Sequence, residues 1–161
     1  MNRESLHRES AIKQPGQVST FENLEVYRVA REFRKAMYRL VKCLPEIEKF
    51  GLASQIRRAA VSLTNNIAEG HGRYHYLDQI KFTLHSRGSL EELMDDLNVC
   101  EDEQYLQAEQ IASLKEDGWR VRQLIDGYVR YLRQQSAGNR ALVREDSPLY
   151  DEDIDDSRFS I

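Results

Sequence analysis

Apolar residues recur at helical intervals four times along this chain. Between about Asn23 and Leu44, the positions Val26, Ala30, Phe33, Met37, Leu40 and Leu44 are spaced 4, 3, 4, 3 and 4, a seam for packing one helix on others. Ser19, with Glu22 three residues on, or Asn23 is the expected N-cap, and Pro45 blocks continuation. A second helix is predicted from near Gly51 to the glycines of Glu69-Gly70-His71-Gly72, a C-terminal stop signal. A third is predicted from about Leu77 to Glu103, with Phe82, Ser86, Ser89, Leu93, Leu97 and Cys100 on its main stripe and Leu77, Ile80 and Leu84 roughly opposite. Its Gly88 costs about 1 kcal/mol against alanine, which implies that a neighbouring helix comes close there. The fourth, from about Gln107 to Gln135, carries Ile111, Leu114, Gly118, Val121, Ile125, Tyr128 and Leu132 at alternating intervals of 3 and 4. Nothing reads as a strand. The expected fold is all-α, an up-down-up-down antiparallel four-helix bundle.

The bundle accounts for residues 21–135. Residues 1–20 are polar, include Pro15-Gly16 and show no period, so a flexible arm is expected; residues 136–161 read as an acidic, disordered tail. The tail's Leu149, Tyr150, Ile154 and Phe159 are too few to bury a core, although they suit docking on a partner. At 161 residues the chain has the length of one domain. Mean hydropathy is −0.66 and no apolar run reaches the roughly 18 residues of a membrane span, so a cytoplasmic protein with no membrane partner is expected. Cys43 and Cys100, both on apolar stripes, read as reduced core residues. Charge is uneven: residues 21–135 hold 17 Lys and Arg against 18 Asp and Glu, whereas 136–161 hold three arginines against seven acids. A near-neutral body carries no overall cation excess for phosphate, although a local basic patch remains open.

The chain carries none of the familiar catalytic patterns. Gly72 and its neighbours end a helix with no preceding strand and no Gly-Lys-Ser/Thr, so no phosphate loop is formed. There is no zinc-type cysteine pairing and no nucleophile elbow. His71 and His75 are four apart, but the turn at Gly72 breaks their helical register; an enzyme or metal protein using Glu69, His71 and His75 is the weakest reading. Glu91, Glu92, Asp95 and Asp96 alternate with Leu93, Met94 and Leu97 as a solvated helix face should. No catalytic residue, cofactor or metal is expected.

The second helix holds the most informative stretch, QIRRAAVSLTNNIAEGHGR at 55–73. At about 100° per residue, Leu52, Ile56, Ala59, Ala60, Leu63 and Ile67 share one face, which Val61 and Ala68 widen to roughly 200°. The remaining arc collects Ser54, Gln55, Arg58, Ser62, Asn65, Asn66 and Glu69, with Arg58–Ser62, Ser62–Asn66 and Asn65–Glu69 each one four-residue step apart. Arg57 lies apart, within the apolar side. Either the arc faces water, or it is a hydrogen-bond ladder covered by a neighbouring subunit. Asparagine is a poor helix former, which favours the second.

The chain resembles a family through Phe21-x-x-Leu24 with Tyr27, Gly51-Leu52 leading into Gln55-Ile56-Arg57-Arg58-Ala59-Ala60-Val61-Ser62, Asn66-Ile67-Ala68-Glu69-Gly70, Gly72-Arg73, and Gly88-Ser89-x-x-Glu92-Leu93. These are similar, in order and spacing over residues 21–133, to the small bacterial four-helix-bundle proteins first noticed in intervening sequences of 23S rRNA genes. Relatives include the accessory variability determinant of diversity-generating retroelements. The resemblance implies a ring-like homopentamer and, for the retroelement branch, binding to nucleic acid and to a reverse transcriptase through a basic surface. Thr64-Asn65 departs from the Pro-Ser or Pro-Ala of many relatives. The function expected first is a non-enzymatic oligomeric scaffold presenting a ring surface to a macromolecular partner. The alternative is a nucleic-acid-binding accessory factor using Arg57, Arg58, Arg73, Arg130 and Arg133.

Overall fold

The computed structural model describes residues 19–145. A 3-10 turn at Phe21–Asn23 leads into α1 (Glu25–Val41), a second at Glu46–Glu48 into α2 (Leu52–His71), and α3 (Tyr76–Asp102) and α4 (Ala108–Glu145) follow. Among the described residues there is no strand. Short connections make successive helices antiparallel neighbours. α1 and α3 each pack on both α2 and α4 and not on one another, so they occupy opposite corners of the bundle.

The predicted seams form the core. Val26, Ala30, Phe33, Met37 and Leu40 of α1 meet Ile56, Leu63 and Ile67 of α2, Leu93 and Leu97 of α3, and Val121 and Ile125 of α4 in one cluster. A smaller cluster joins Ile80 to Val129 and Leu132. Ile80 is therefore buried, although the helical plot put it opposite the main stripe, because α4 covers that side of α3. Leu77 and Leu84 stay exposed.

Local details depart from the sequence reading. Leu24 is the N-cap of α1, with no side-chain cap bond, so neither Ser19 nor Asn23 caps it. At α2 the N-cap is Gly51, which has no side chain to offer. Glu48 supplies the acceptor instead: its Oε2 takes the Leu52 N–H at 3.0 Å and its Oε1 takes the Tyr105 hydroxyl at 2.8 Å. Those two donors, the Leu52 N–H foremost, hold the Glu48 carboxyl below the ordinary carboxylate range. The stability it contributes is present above the unfolded-state pKa and is lost as pH falls through the lowered folded value. Cys43 is exposed, not core, because it follows the last turn of α1; Cys100 is buried. α4 continues to Glu145 rather than ending near Gln135, so residues 136–145 are helix and not tail. The arm up to residue 18 and the segment 146–161 lie outside the described residues.

Two glycines in helices have opposite surroundings. At Gly70 a Cβ would sit 3.0 Å from Phe82 Cβ and 3.2 Å from the Gln79 carbonyl oxygen, so α2 and α3 cross closely there. At Gly88 a Cβ would meet nothing within 4 Å, so within one chain no neighbouring helix exploits it. We expect Gly88→Ala to stabilise by about 1 kcal/mol through helix propensity. Gly70→Ala should destabilise by about 1–3 kcal/mol, because backbone and Cβ atoms cannot swing aside. Urea midpoints of the two variants check both; equal shifts would contradict the packing at Gly70.

Candidate nucleic-acid interface

The outward face of α1 and α2 is built by side chains that their own helices do not need for packing. Of the ladder expected on α2, one rung forms: Asn66 Nδ2 donates to the Ser62 carbonyl at 2.8 Å and to Ser62 Oγ at 3.0 Å. α3 extends it, since the Ser89 hydroxyl donates to Ser62 Oγ at 2.8 Å. The other two rungs are absent: Arg58 and Asn65 are exposed and make no hydrogen bond with another described residue. Glu69 turns to Arg73, one helical turn on, instead of to Asn65. The arc is thus fixed at Ser62 and Asn66 and open at Arg58 and Asn65.

Beside it runs a pair of grooves that share Tyr38 and Val61. One, of about 530 Å³, is lined by Arg34, Lys35, Arg39 and Lys42 of α1 and its C-cap. The other, of about 590 Å³, is lined by Arg57, Arg58, Ser62, Asn65, Asn66 and Glu69. Arg57 joins the arc's groove even though the helical plot set it apart. Its long stem carries the guanidinium to the Lys49 carbonyl at 3.2 Å. At the groove floor Arg34 donates to the buried Thr64 hydroxyl at 2.7 Å.

Most cations of this face have no acidic partner among the described residues. Arg34, Arg39, Lys42, Arg57 and Arg58 form no ion pair with a described residue, and Lys35 alone is paired, to Glu32. On α3 and α4, Arg87 pairs with Asp126, Lys115 with Glu101, and Arg122 with Glu91 and Asp126, whereas Lys81, Arg120, Arg130 and Arg133 form no ion pair with a described residue. Helix by helix, the neutral total separates. Residues 25–42 carry six cations against two acids, whereas α3 carries seven acids against two cations. Because α1 and α3 occupy opposite corners, the bundle has a positive edge and a negative edge. Arg39 and Lys42 also suit the C-terminal end of the α1 dipole; Arg34 and Arg58, in mid-helix, have no such reason.

A sequence model described as the 23S rRNA-intervening sequence protein matches residues 22–127. The chain belongs to that family. The fold is similar to the crystal structure of a protein with unknown function from the S23 ribosomal protein family of Bacteroides thetaiotaomicron VPI-5482. The TM-score is 0.61 at 24% identity, over 65% of this chain and 97% of that one. At that identity the likeness speaks for the fold alone. No curated protein matches the chain.

In this member of the 23S rRNA-intervening sequence protein family, the five arginines singled out from the sequence are not brought together. Arg57 and Arg58 line the groove. Arg73 is bound to Glu69 and lies over the Phe82 ring, 4.6 Å from its centroid, so it helps to fasten α2 to α3. Arg130 and Arg133 are exposed on α4, which lies diagonally across the bundle from α2, and they do not line the groove. Sequence reading missed Arg34, Lys35, Tyr38, Arg39 and Lys42. The signal was there, in the cation excess of α1 counted by itself. Glu69, His71 and His75 do not converge: Glu69 is engaged by Arg73, His71 closes α2 and His75 caps α3. Among the described residues, no three of His, Cys, Asp or Glu are grouped to hold a metal ion. No described helix is long and apolar enough to cross a membrane.

Proposed function

We propose that this protein is a non-enzymatic scaffold whose α1/α2 face takes a nucleic acid. The observation that carries this is the clustering around Tyr38 of five cations that form no ion pair with a described residue, with Glu69, already occupied by Arg73, as the one acid among the lining residues. Phosphates release counterions on such a surface and bind without any reacting group. Fluorescence anisotropy of the full chain with a labelled RNA oligonucleotide at low salt tests it. Micromolar or tighter binding is expected, and no binding at low salt would refute the reading. If the retroelement branch is the right relative, a reverse transcriptase is the protein partner, which a neighbouring gene with its repeated template would reveal.

A second reading concerns self-association. The positive edge at α1 and the negative edge at α3 are complementary between copies, the arrangement a head-to-tail ring requires. Val61 on α2, beside the first, and Leu84 and Val99 on the second are exposed. The homopentamer implied by the resemblance has this kind of contact. Light scattering at micromolar concentration should then give a mass several times that of the chain, and a monomer would contradict it. If the ring uses the α1/α2 face itself, reversing the charges of Arg39 and Arg58 dissolves it. If nucleic acid uses that face, the mass survives the reversal.

A further inference from the structure

We infer that the α1/α2 face is built for single-stranded nucleic acid, with one base stacked on Tyr38; this rests on the nucleic-acid reading above and specifies its ligand. Tyr38 is the residue, with Val61, that both grooves share, and it is 38% exposed. A partly exposed aromatic ring therefore stands between two sets of cations, Arg34, Arg39 and Lys42 on one side and Arg57 and Arg58 on the other. A single strand has this alternation, with phosphates along its backbone and unstacked bases between them. Proteins that bind it combine a cationic groove with aromatic platforms. A duplex keeps its base faces inside the stack, where a tyrosine on a surface groove cannot reach them. A purely electrostatic surface has no use for the ring face.

Asn65 adds an exposed amide on the same wall. The Asn66 amide nitrogen is tied to Ser62, which leaves the Asn66 carbonyl oxygen as its acceptor toward the groove lined by both. The tyrosine hydroxyl is not needed for stacking, so the ring and the hydroxyl can be tested separately.

The test uses the full chain and two labelled RNA probes of equal length, an unstructured oligoadenylate and a blunt duplex, at one fixed low salt concentration. Tyr38→Leu keeps apolar bulk and removes the ring. It should weaken oligoadenylate binding roughly 5- to 100-fold, the range set by stacking one base, and leave duplex binding unchanged. Tyr38→Phe should bind oligoadenylate like the wild type. Because Tyr38 lies outside the core, both variants should melt with the wild type, and a thermal scan confirms that a loss is not unfolding. Oligoadenylate binding untouched by Tyr38→Leu, or a duplex bound as tightly as the single strand, would overturn the inference while leaving the cationic reading in place. A wild type that binds neither probe would overturn both.

Discussion

Reversing two charges on the α1/α2 face, Arg39→Glu with Arg58→Glu, should weaken nucleic-acid binding by on the order of 100-fold at low salt. Each arginine is exposed, forms no ion pair with a described residue and lies in the groove system that shares Tyr38. Charge-assisted hydrogen bonds contribute about 1.5–3 kcal/mol each where water is excluded and less on an open surface. Two lost contacts, together with new repulsion, therefore amount to roughly 100-fold. The fold should tolerate the change, because neither side chain reaches the core or holds an ion pair. The control is Arg130→Glu with Arg133→Glu, which makes the same charge change on α4. If the face is the site, that control costs no more than the general change in net charge. Equal losses from the two double variants, read by anisotropy, would mean that binding follows net charge and not this surface.

The second large effect is on stability. Asp96 is 5% exposed, and its Oδ2 is buried with no hydrogen-bond partner. Removal from water, reinforced by Glu92 and Asp95 on the same helix, pushes its carboxyl up from 3.8 to about 6. Between the ordinary value of 3.8 and about 6, the folded chain holds a proton on Asp96 that the unfolded chain has largely released. This group's contribution to stability therefore grows as pH falls from 7 toward 5, and above pH 7 the buried charge exerts its full cost. Asp96→Asn keeps the shape and removes the charge. At pH 8 it should stabilise the bundle by about 2 kcal/mol, and at pH 4 the gain should nearly vanish, since the wild-type carboxyl is neutral there. Denaturant midpoints at the two pH values check this. A variant less stable than the wild type at pH 8 would show that the carboxylate has a stabilising partner.

Asp96 also shows where the sequence was legible and where it was not. The four seams, their order and their antiparallel pairing could be read from apolar spacing alone, because packing in a bundle depends on little besides that period. Asp96 follows Leu93 by three and precedes Cys100 by four, on the buried stripe. It was read as solvent-facing because it ends a run of acids, and composition overrode position. Ile80 and the reach of α4 were missed for a related reason. A helical plot of one segment says which residues share a side, not which sides a neighbour covers. The α1/α2 face was half legible. Arg57 and Arg58 stood out as a pair within an apolar helix, whereas the cations of α1 were absorbed into a near-neutral sum. That sum is the wrong quantity once α1 and α3 are known to occupy opposite corners. The Arg34–Thr64 bond joins residues thirty positions apart and was invisible before the fold placed α1 on α2.

The most direct measurement of the central claim is the salt dependence of affinity for a single-stranded RNA, from about 50 to 200 mM monovalent salt. Single strands give a slope of about −0.7 per phosphate neutralised, so three to five engaged cations of the face predict a log–log slope of about −2 to −3.5. The Arg39→Glu, Arg58→Glu variant should flatten that slope. A wild-type slope near zero, or no binding at the lowest salt, would contradict the account.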